Sequence, residues 1–271
     1  MPVPIVAEPV CLRILVTRPQ PQADAWTRHL RAGGFDAVAL PLLAIDALPD
    51  TQALAATWHS LARFALVVFV SPNAVSHFFA ARPPGVTWPA TTRAAAPGPG
   101  TVDALLAEGL AAVSCIGPAR DARQFDSAAL WAQLEHESWA GQRALLVRGD
   151  GGREELADRL RAAGATVDVV QAYRRRGAQL SAAEQALLDA ARASPAAHLW
   201  LLSSSEALGT LESLAPGADW SRAQAVATHP RIAAAAERLG FGNVECVAPT
   251  QEALHGALER AAQRCIQSMR S

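Results

Sequence analysis

Tyr173 is the only tyrosine among 271 residues, and it closes the apolar run Val169-Val170-Gln171-Ala172 directly before Arg174, Arg175 and Arg176. A phenol is both a hydrogen-bond donor and an acceptor, so beside positive charge it suits a reaction in which an oxygen leaves or a proton is shared. Five short stretches carry complementary chemistry: Thr17-Arg18-Pro19; Ser71-Pro72-Asn73; Pro97-Gly98-Pro99-Gly100-Thr101; Arg148-Gly149-Asp150-Gly151-Gly152-Arg153; and Ser203-Ser204-Ser205. Hydroxyl, glycine and arginine at the start of a helix suit a carboxylate or phosphate, because free amides and the helix dipole favour negative charge there. Taken singly, each serine or threonine also reads as an ordinary helix N-cap, and the glycines as a tight turn. Taken together, they point to a ligand with several anionic groups.

Composition narrows the classes. The formal net charge is −1, which does not provide the basic surface of a general nucleic-acid binder. With 51% apolar residues the chain can fill two cores of ordinary size. Cys11, Cys115, Cys246 and Cys265 lack CxxC spacing and the seven histidines lack an HxxxH pair, so neither a zinc site nor a disulfide framework is expected. The first residues, MPVPIVAEPV, lack the basic and apolar regions of a signal peptide, and no apolar run approaches the roughly 20 residues of a membrane span. These features lead to the expectation of a cytoplasmic protein that meets neither nucleic acid nor membrane, and a monomer is expected. Dinucleotide, P-loop and nucleophile-elbow motifs are absent, as is the Asp-x-Asp pair of a nucleotide-sugar transferase.

The elements that must carry these loops follow from periodicity. Arg13–Thr17 reads as a strand, residues 19–33 as a helix with Ala23, Trp26 and Leu30 on one face, and FDAVALPLLAI as a second strand, a βαβ unit. The unit returns as ALLVRGDGGREELADRLRAAGATVDVV: Leu30-Arg31-Ala32-x-Gly34 superposes on Leu160-Arg161-Ala162-x-Gly164 at an offset of 130, which also lays Arg18 on Arg148. FVSPNAV (69–75) pairs with LSSSEAL (202–208), and AAPGPGTVDALLAEGL (95–110) with VATHPRIAAAAERLGF (226–241), whose helix is expected to begin near Val102 in the first copy. Three unit types recurring in one order indicate an internal duplication, split by itself near residues 125–142. Alternating strands and helices predict α/β architecture with doubly wound parallel sheets, whose ligands bind beyond the carboxyl ends of the strands.

The succession ILVTRPQPQADAWTRHLRAGGFDAVALP, VVFVSPNAVSHFF, ALLVRGDGGREELADRLRAAGATVDVVQAYRR, LLSSSEAL and THPRIAAAAERLGF resembles the uroporphyrinogen-III synthase family over nearly the whole chain. The resemblance implies two flavodoxin-like α/β lobes joined by a two-stranded connector, with the substrate between them. It moves the domain boundaries to 1–37 plus 176–271 for one lobe and 43–168 for the other, with 38–42 and 169–175 as connector strands. It implies that hydroxymethylbilane, a linear tetrapyrrole with eight carboxylates, loses water, inverts its terminal ring and closes as uroporphyrinogen III without any cofactor. It further implies a transient contact with the upstream hydroxymethylbilane synthase.

By the same resemblance Tyr173, at the mouth of a crossing strand, assists loss of the hydroxyl, and Thr101 matches a threonine of the family. Thr17, Arg18, Ser71, Asn73, Gly98, Gly100, Arg148, Gly149, Gly151, Gly152, Arg153, Ser203, Ser204, Ser205 and His229 are the expected substrate-binding positions. Ile232 stands where the repeat partner of Thr101 would be, so no second hydroxyl role is carried there. His229 reads either as a helix cap or as a carboxylate contact. A non-catalytic binding module for a polycarboxylate is the alternative function.

Overall fold

The computed structural model describes residues 12–122, 124–152 and 154–270. Its strands are β1 (Arg13–Val16), β2 (Ala37–Ala39), β3 (Leu43–Ala47), β4 (Leu66–Phe69), β5 (Arg93–Ala95), β6 (Cys115–Ile116), β7 (Arg143–Gly149), β8 (Thr166–Gly177), β9 (His198–Leu202), β10 (Gln224–Ala227) and β11 (Asn243–Cys246). Its helices are α1 (Gln22–Ala32), α2 (Gln52–Ser60), α3 (Pro72–Ala80), α4 (Pro99–Ala107), α5 (Ser127–Leu134), α6 (Glu155–Ala162), α7 (Ala182–Ala193), α8 (Ser205–Leu214), α9 (Pro230–Arg238) and α10 (Gln251–Arg270). The chain forms two compact units: one holds everything up to Ala44 together with everything from Arg176 onward, and the other is Ile45–Arg175.

The first unit is a five-stranded sheet in the order β11-β10-β9-β1-β2, and its pairings are parallel. Side chains alternate across a strand, so a strand buried on both faces reads as a continuous apolar run. Leu199 and Leu201 of β9 join Ile14 and Val16 of β1 on one face, against Leu30 of α1 and Leu254 and Leu258 of α10. Trp200 and Leu202 join Leu15 on the other face, against residues of α7, α8 and α9. There Trp220 and Phe241 stack at 5.6 Å and Trp200 meets Trp220 edge-on at 5.3 Å, the offset and edge geometries that aromatic quadrupoles favour.

The second unit's sheet runs β3-β8-β7-β4-β5-β6. Val67, Phe69, Leu145 and Val147 face Phe78 and Phe79 of α3, while Leu66, Val68, Ala144 and Leu146 face Leu130 and Leu134 of α5 and Leu156 and Leu160 of α6. One irregularity matters for chemistry. The β7–β8 register pairs Arg148 with Gln171 but Gly149 with Tyr173, so β8 carries one extra residue, Ala172. Ala172 and Tyr173 consequently face the same core, against strict alternation. A bulge of this kind re-aims a side chain, and here it turns the tyrosine toward α3.

The repeat is visible in the backbone. Helix α1 ends with Phe35 N–H on the Leu30 carbonyl (3.1 Å) and Gly34 N–H on that of Arg31 (3.0 Å); α6 ends with Ala165 N–H on Leu160 (3.0 Å) and Gly164 N–H on Arg161 (2.9 Å). This paired 6→1 and 5→2 closure needs a left-handed residue, supplied by Gly34 (φ 86°) and Gly164 (φ 97°). Helices α4 and α9 close identically, Leu110 on Leu105 and Phe241 on Ala236. Strand order agrees as well. Each unit, read from its βαβ piece, has the flavodoxin-like order 2-1-3-4-5, as β2-β1-β9-β10-β11 and as β8-β7-β4-β5-β6.

Duplication in the chain is nevertheless not division in space. The sequence runs βαβ piece, three-strand piece, βαβ piece, three-strand piece, but the first βαβ piece shares a sheet with the last three strands and the middle two pieces share the other. The split between residues 125 and 142 that the repeat alone suggests is therefore not where the units divide.

Candidate active site

In a sheet of order 2-1-3-4-5 a crevice opens at the carboxyl ends of strands 1 and 3, where the winding reverses. In the first unit these are β1 and β9, which deliver Thr17 and Arg18 beside Ser203 and Ser204. In the second they are β7 and β4, which deliver Arg148 and Gly149 beside Ser71.

At the first unit's reversal the two residues of the Thr-Arg pair do different things. Thr17 is buried, and its hydroxyl donates to the Leu201 carbonyl at 2.7 Å, tying β1 to β9. The hydroxyl hydrogen of Thr17 is thus committed to a bond between strands. Arg18 lies with its guanidinium 4.7 Å from the centre of the Trp26 ring, and its Nε is buried without a hydrogen-bond partner. Burial lowers its pKa to about 10, because a charged group loses solvation there. Ser204 caps α8 by accepting from Glu206 N–H (3.2 Å), with Ser203 half-buried before it and Ser205 exposed in the first turn. His229 caps α9: its Nδ1 accepts from Arg231 N–H at 3.1 Å.

At the second unit's reversal the residues converge on Tyr173. Its hydroxyl lies 3.0 Å from Ser71 Oγ, which also accepts from Ala74 N–H (3.2 Å) as the N-cap of α3. The ring stacks on His77 of α3, centroids 5.7 Å apart, and burial lowers the His77 pKa. On the ring's edge Gly149 comes so close that a Cβ there would stand 2.7 Å from Tyr173 Cε2. Tyr173 is only 3% exposed, which corrects the picture of a phenol at the open mouth of a strand: it lies within β8, covered, and half-buried Ser71 is the more accessible end of the pair.

The turn after β7 is engaged with itself. Arg148 Nη1 meets Glu154 Oε1 at 2.6 Å, Arg175 donates from its backbone N–H (2.7 Å) and its Nη2 (2.8 Å) to Asp150, and Gly151 and Gly152 take positive φ. The Tyr173 carbonyl accepts from Asp150 N–H and from Gln171 Nε2. Of the three arginines after Tyr173, Arg175 is thus held by this turn while Arg174 and Arg176 are exposed. Arg153 lies outside the described residues.

Helix α4 begins at Pro99 with Gly98 as its N-cap, three residues before the expected start, because proline's fixed φ is already suited to the first helical position. Gly100 and Thr101 therefore belong to its first turn, and Thr101 is buried. Asn73 is half-buried in the first turn of α3. Trp26 and His77 were missed from sequence, because what each touches, Arg18 and Tyr173, is set by the fold.

Among the described residues no group of three or more His, Cys, Asp or Glu is placed to hold a metal ion, and no helix is long and apolar enough to cross a membrane. Cys115 and Cys246 are free thiols and Cys265 is disulfide-bonded, so the expectation of no framework of bridges does not extend to this cysteine.

Residues 24–256 match the family model described as Uroporphyrinogen-III synthase HemD. The chain is 32% identical over 259 residues to the uroporphyrinogen-III synthase of Salmonella typhimurium, covering 93% of this chain and all of that one. Among solved structures, a mutant uroporphyrinogen III synthase of Thermus thermophilus aligns with a TM-score of 0.60 at 16% identity, covering 93% of this chain and 99% of that one. The uroporphyrinogen-III synthetase of Helicobacter pylori aligns at 0.56 with 15% identity, covering 92% and 99%, and both likenesses support the two-sheet fold. The chain belongs to the uroporphyrinogen-III synthase family.

Proposed function

We propose that this chain is a uroporphyrinogen-III synthase, a lyase of tetrapyrrole synthesis that closes hydroxymethylbilane with inversion of the terminal ring and release of one water. The observation that carries the residue-level reading is the Tyr173–Ser71 hydroxyl pair, 3.0 Å apart at the winding reversal of a doubly wound sheet. With Ala74 N–H already donating to Ser71 Oγ, the serine's own hydrogen can go to Tyr173 Oη, and the phenol hydrogen is then available to a departing oxygen.

The reaction is redox-neutral. The C–O bond of the hydroxymethyl group breaks and its oxygen leaves as water, taking up a proton through the hydrogen bond from the phenol; the pyrrole N–H gives up its proton in turn, which restores the phenol and leaves a neutral azafulvene. The substituted carbon of the terminal ring attacks it, giving a spirocyclic intermediate that reopens and recloses inverted. Since the same precursor closes unaided to the uninverted isomer, selectivity comes from orientation, supplied by binding the substrate's carboxylates. Preorganised amides at the starts of α3, α4 and α8 stabilise charge without reorganising.

The test is to generate hydroxymethylbilane in place, add the protein and separate the oxidised products by isomer. Type III in excess is the expected result; type I alone, at the rate of a protein-free control, favours a non-catalytic binding module. Tyr173→Phe should lower kcat about tenfold, the worth of one good hydrogen bond, while type III stays dominant. An unchanged kcat removes the phenol from the mechanism.

A further inference from the structure

Arg18 and Arg148 occupy the same place in the two copies of the repeat, 130 residues apart, yet among the described residues only Arg148 has an ion-pair partner. In the second copy Glu154 reaches Arg148 at 2.6 Å. Its counterpart in the first copy is Asp24, one methylene shorter, and its carboxylate accepts instead from Gln20 Nε2 at 3.0 Å. Trp26, in the place of Leu156, takes over beneath the Arg18 guanidinium. Among the described residues Arg18 makes neither an ion pair nor a hydrogen bond. The residue still keeps part of its surface accessible, next to the cap of α8.

A guanidinium withdrawn from water without a counter-ion costs folding free energy, and a planar cation stacked on an indole is oriented to meet a carboxylate with both edges of its fork. We propose that Arg18 is a preformed anchor for one carboxylate of the ligand, and that this role belongs to the first unit alone because Glu154 already fills the equivalent place in the second. The proposal rests on the polycarboxylate reading above, though not on turnover.

It is tested by calorimetric titration of uroporphyrin, a stable octacarboxylate, into the wild-type chain, Arg18→Gln and Arg13→Gln. Arg13 starts the same strand, is exposed and pairs with Asp36, so its loss changes net charge equally at the opposite end of the sheet. A charge-assisted hydrogen bond is worth enough for Arg18→Gln to weaken binding about tenfold or more, whereas Arg13→Gln should stay within about twofold. Arg18→Gln should also melt no lower than the wild type, since it removes an uncompensated charge. Equal affinities of the Arg18 and Arg13 variants, or no uroporphyrin binding by the wild type, overturn the anchor. A lower melting temperature with unchanged affinity assigns Arg18 a structural role. Arg18-dependent binding without isomer III formation keeps the anchor and sinks the enzyme instead.

Discussion

The turns after β1 and after β7 have the same length and descend from the same βαβ piece, yet one is built from proline and the other from glycine. Pro19 and Pro21 stand where the second copy has Gly149 and Gly151, and Trp26 stands where it has Leu156. Proline fixes its φ, and in the first turn no glycine lies between the arginine and the helix. In the second turn the missing Cβ of Gly149 admits the Tyr173 ring, and Glu154 closes on Arg148. Duplication thus produced two equivalent strand-to-helix turns, after which a few side chains divided the work: a cation stacked on an indole at the first, a buried phenol at the second.

Breaking the second turn should have the largest effect. Gly149→Ala keeps an ordinary backbone conformation but pushes a methyl to 2.7 Å from the Tyr173 ring, so ring or strand must move. Overpacking of this kind costs about 1–3 kcal/mol, measurable by urea denaturation, and kcat should fall with it. A variant as stable and active as the wild type would mean that the close approach is unimportant.

A smaller effect should come from making the two turns alike. Asp24→Glu restores the acid length found at position 154 and should let the carboxylate reach Arg18. As an exposed ion pair is worth at most about 1 kcal/mol, uroporphyrin affinity should drop roughly threefold. An unchanged affinity would show that the length of this acid does not keep Arg18 open.

The smallest effect lies in the pH dependence of the second turn. The hydrogen bond and charge of Arg148 hold the Glu154 carboxyl below its ordinary value of 4.5. A lowered folded pKa means that the pair stabilises the fold above pH 4.5 and that this contribution is lost as pH falls through the folded pKa. The melting difference between the wild type and Glu154→Gln should therefore be present near neutrality and shrink on acidification. A difference that is constant with pH would mean that the pair contributes nothing to stability.

Much of the fold could be read from local pattern. The strand expected over Arg13–Thr17 and its return in the second copy were legible as apolar runs, and the repeated Leu-Arg-Ala-x-Gly pattern announced equivalent helix ends at Gly34 and Gly164. The start of α4 was misjudged because the glycines around Pro99 look like a loop, whereas the proline opens the helix.

The candidate site was less legible. Thr17 and Ser71 have the same chemistry and the same position after a strand, but one hydroxyl is spent on a neighbouring strand's carbonyl and the other meets a phenol 102 positions away. Which of these occurs depends on what lies across the sheet, and no local pattern contains that information.

By itself the amino-acid sequence determined the βαβ units, their duplication and the clustering of hydroxyls, glycines and arginines after strands, because periodicity, turn chemistry and caps are short-range properties of the chain. Tertiary structure alone decided that the first βαβ piece joins the last three strands, that one extra residue in β8 turns Tyr173 onto Ser71, and that among the described residues Arg148 meets a carboxylate while Arg18 does not. Those outcomes depend on contacts between residues far apart in the chain, where a shift of one residue or one methylene changes which groups can touch.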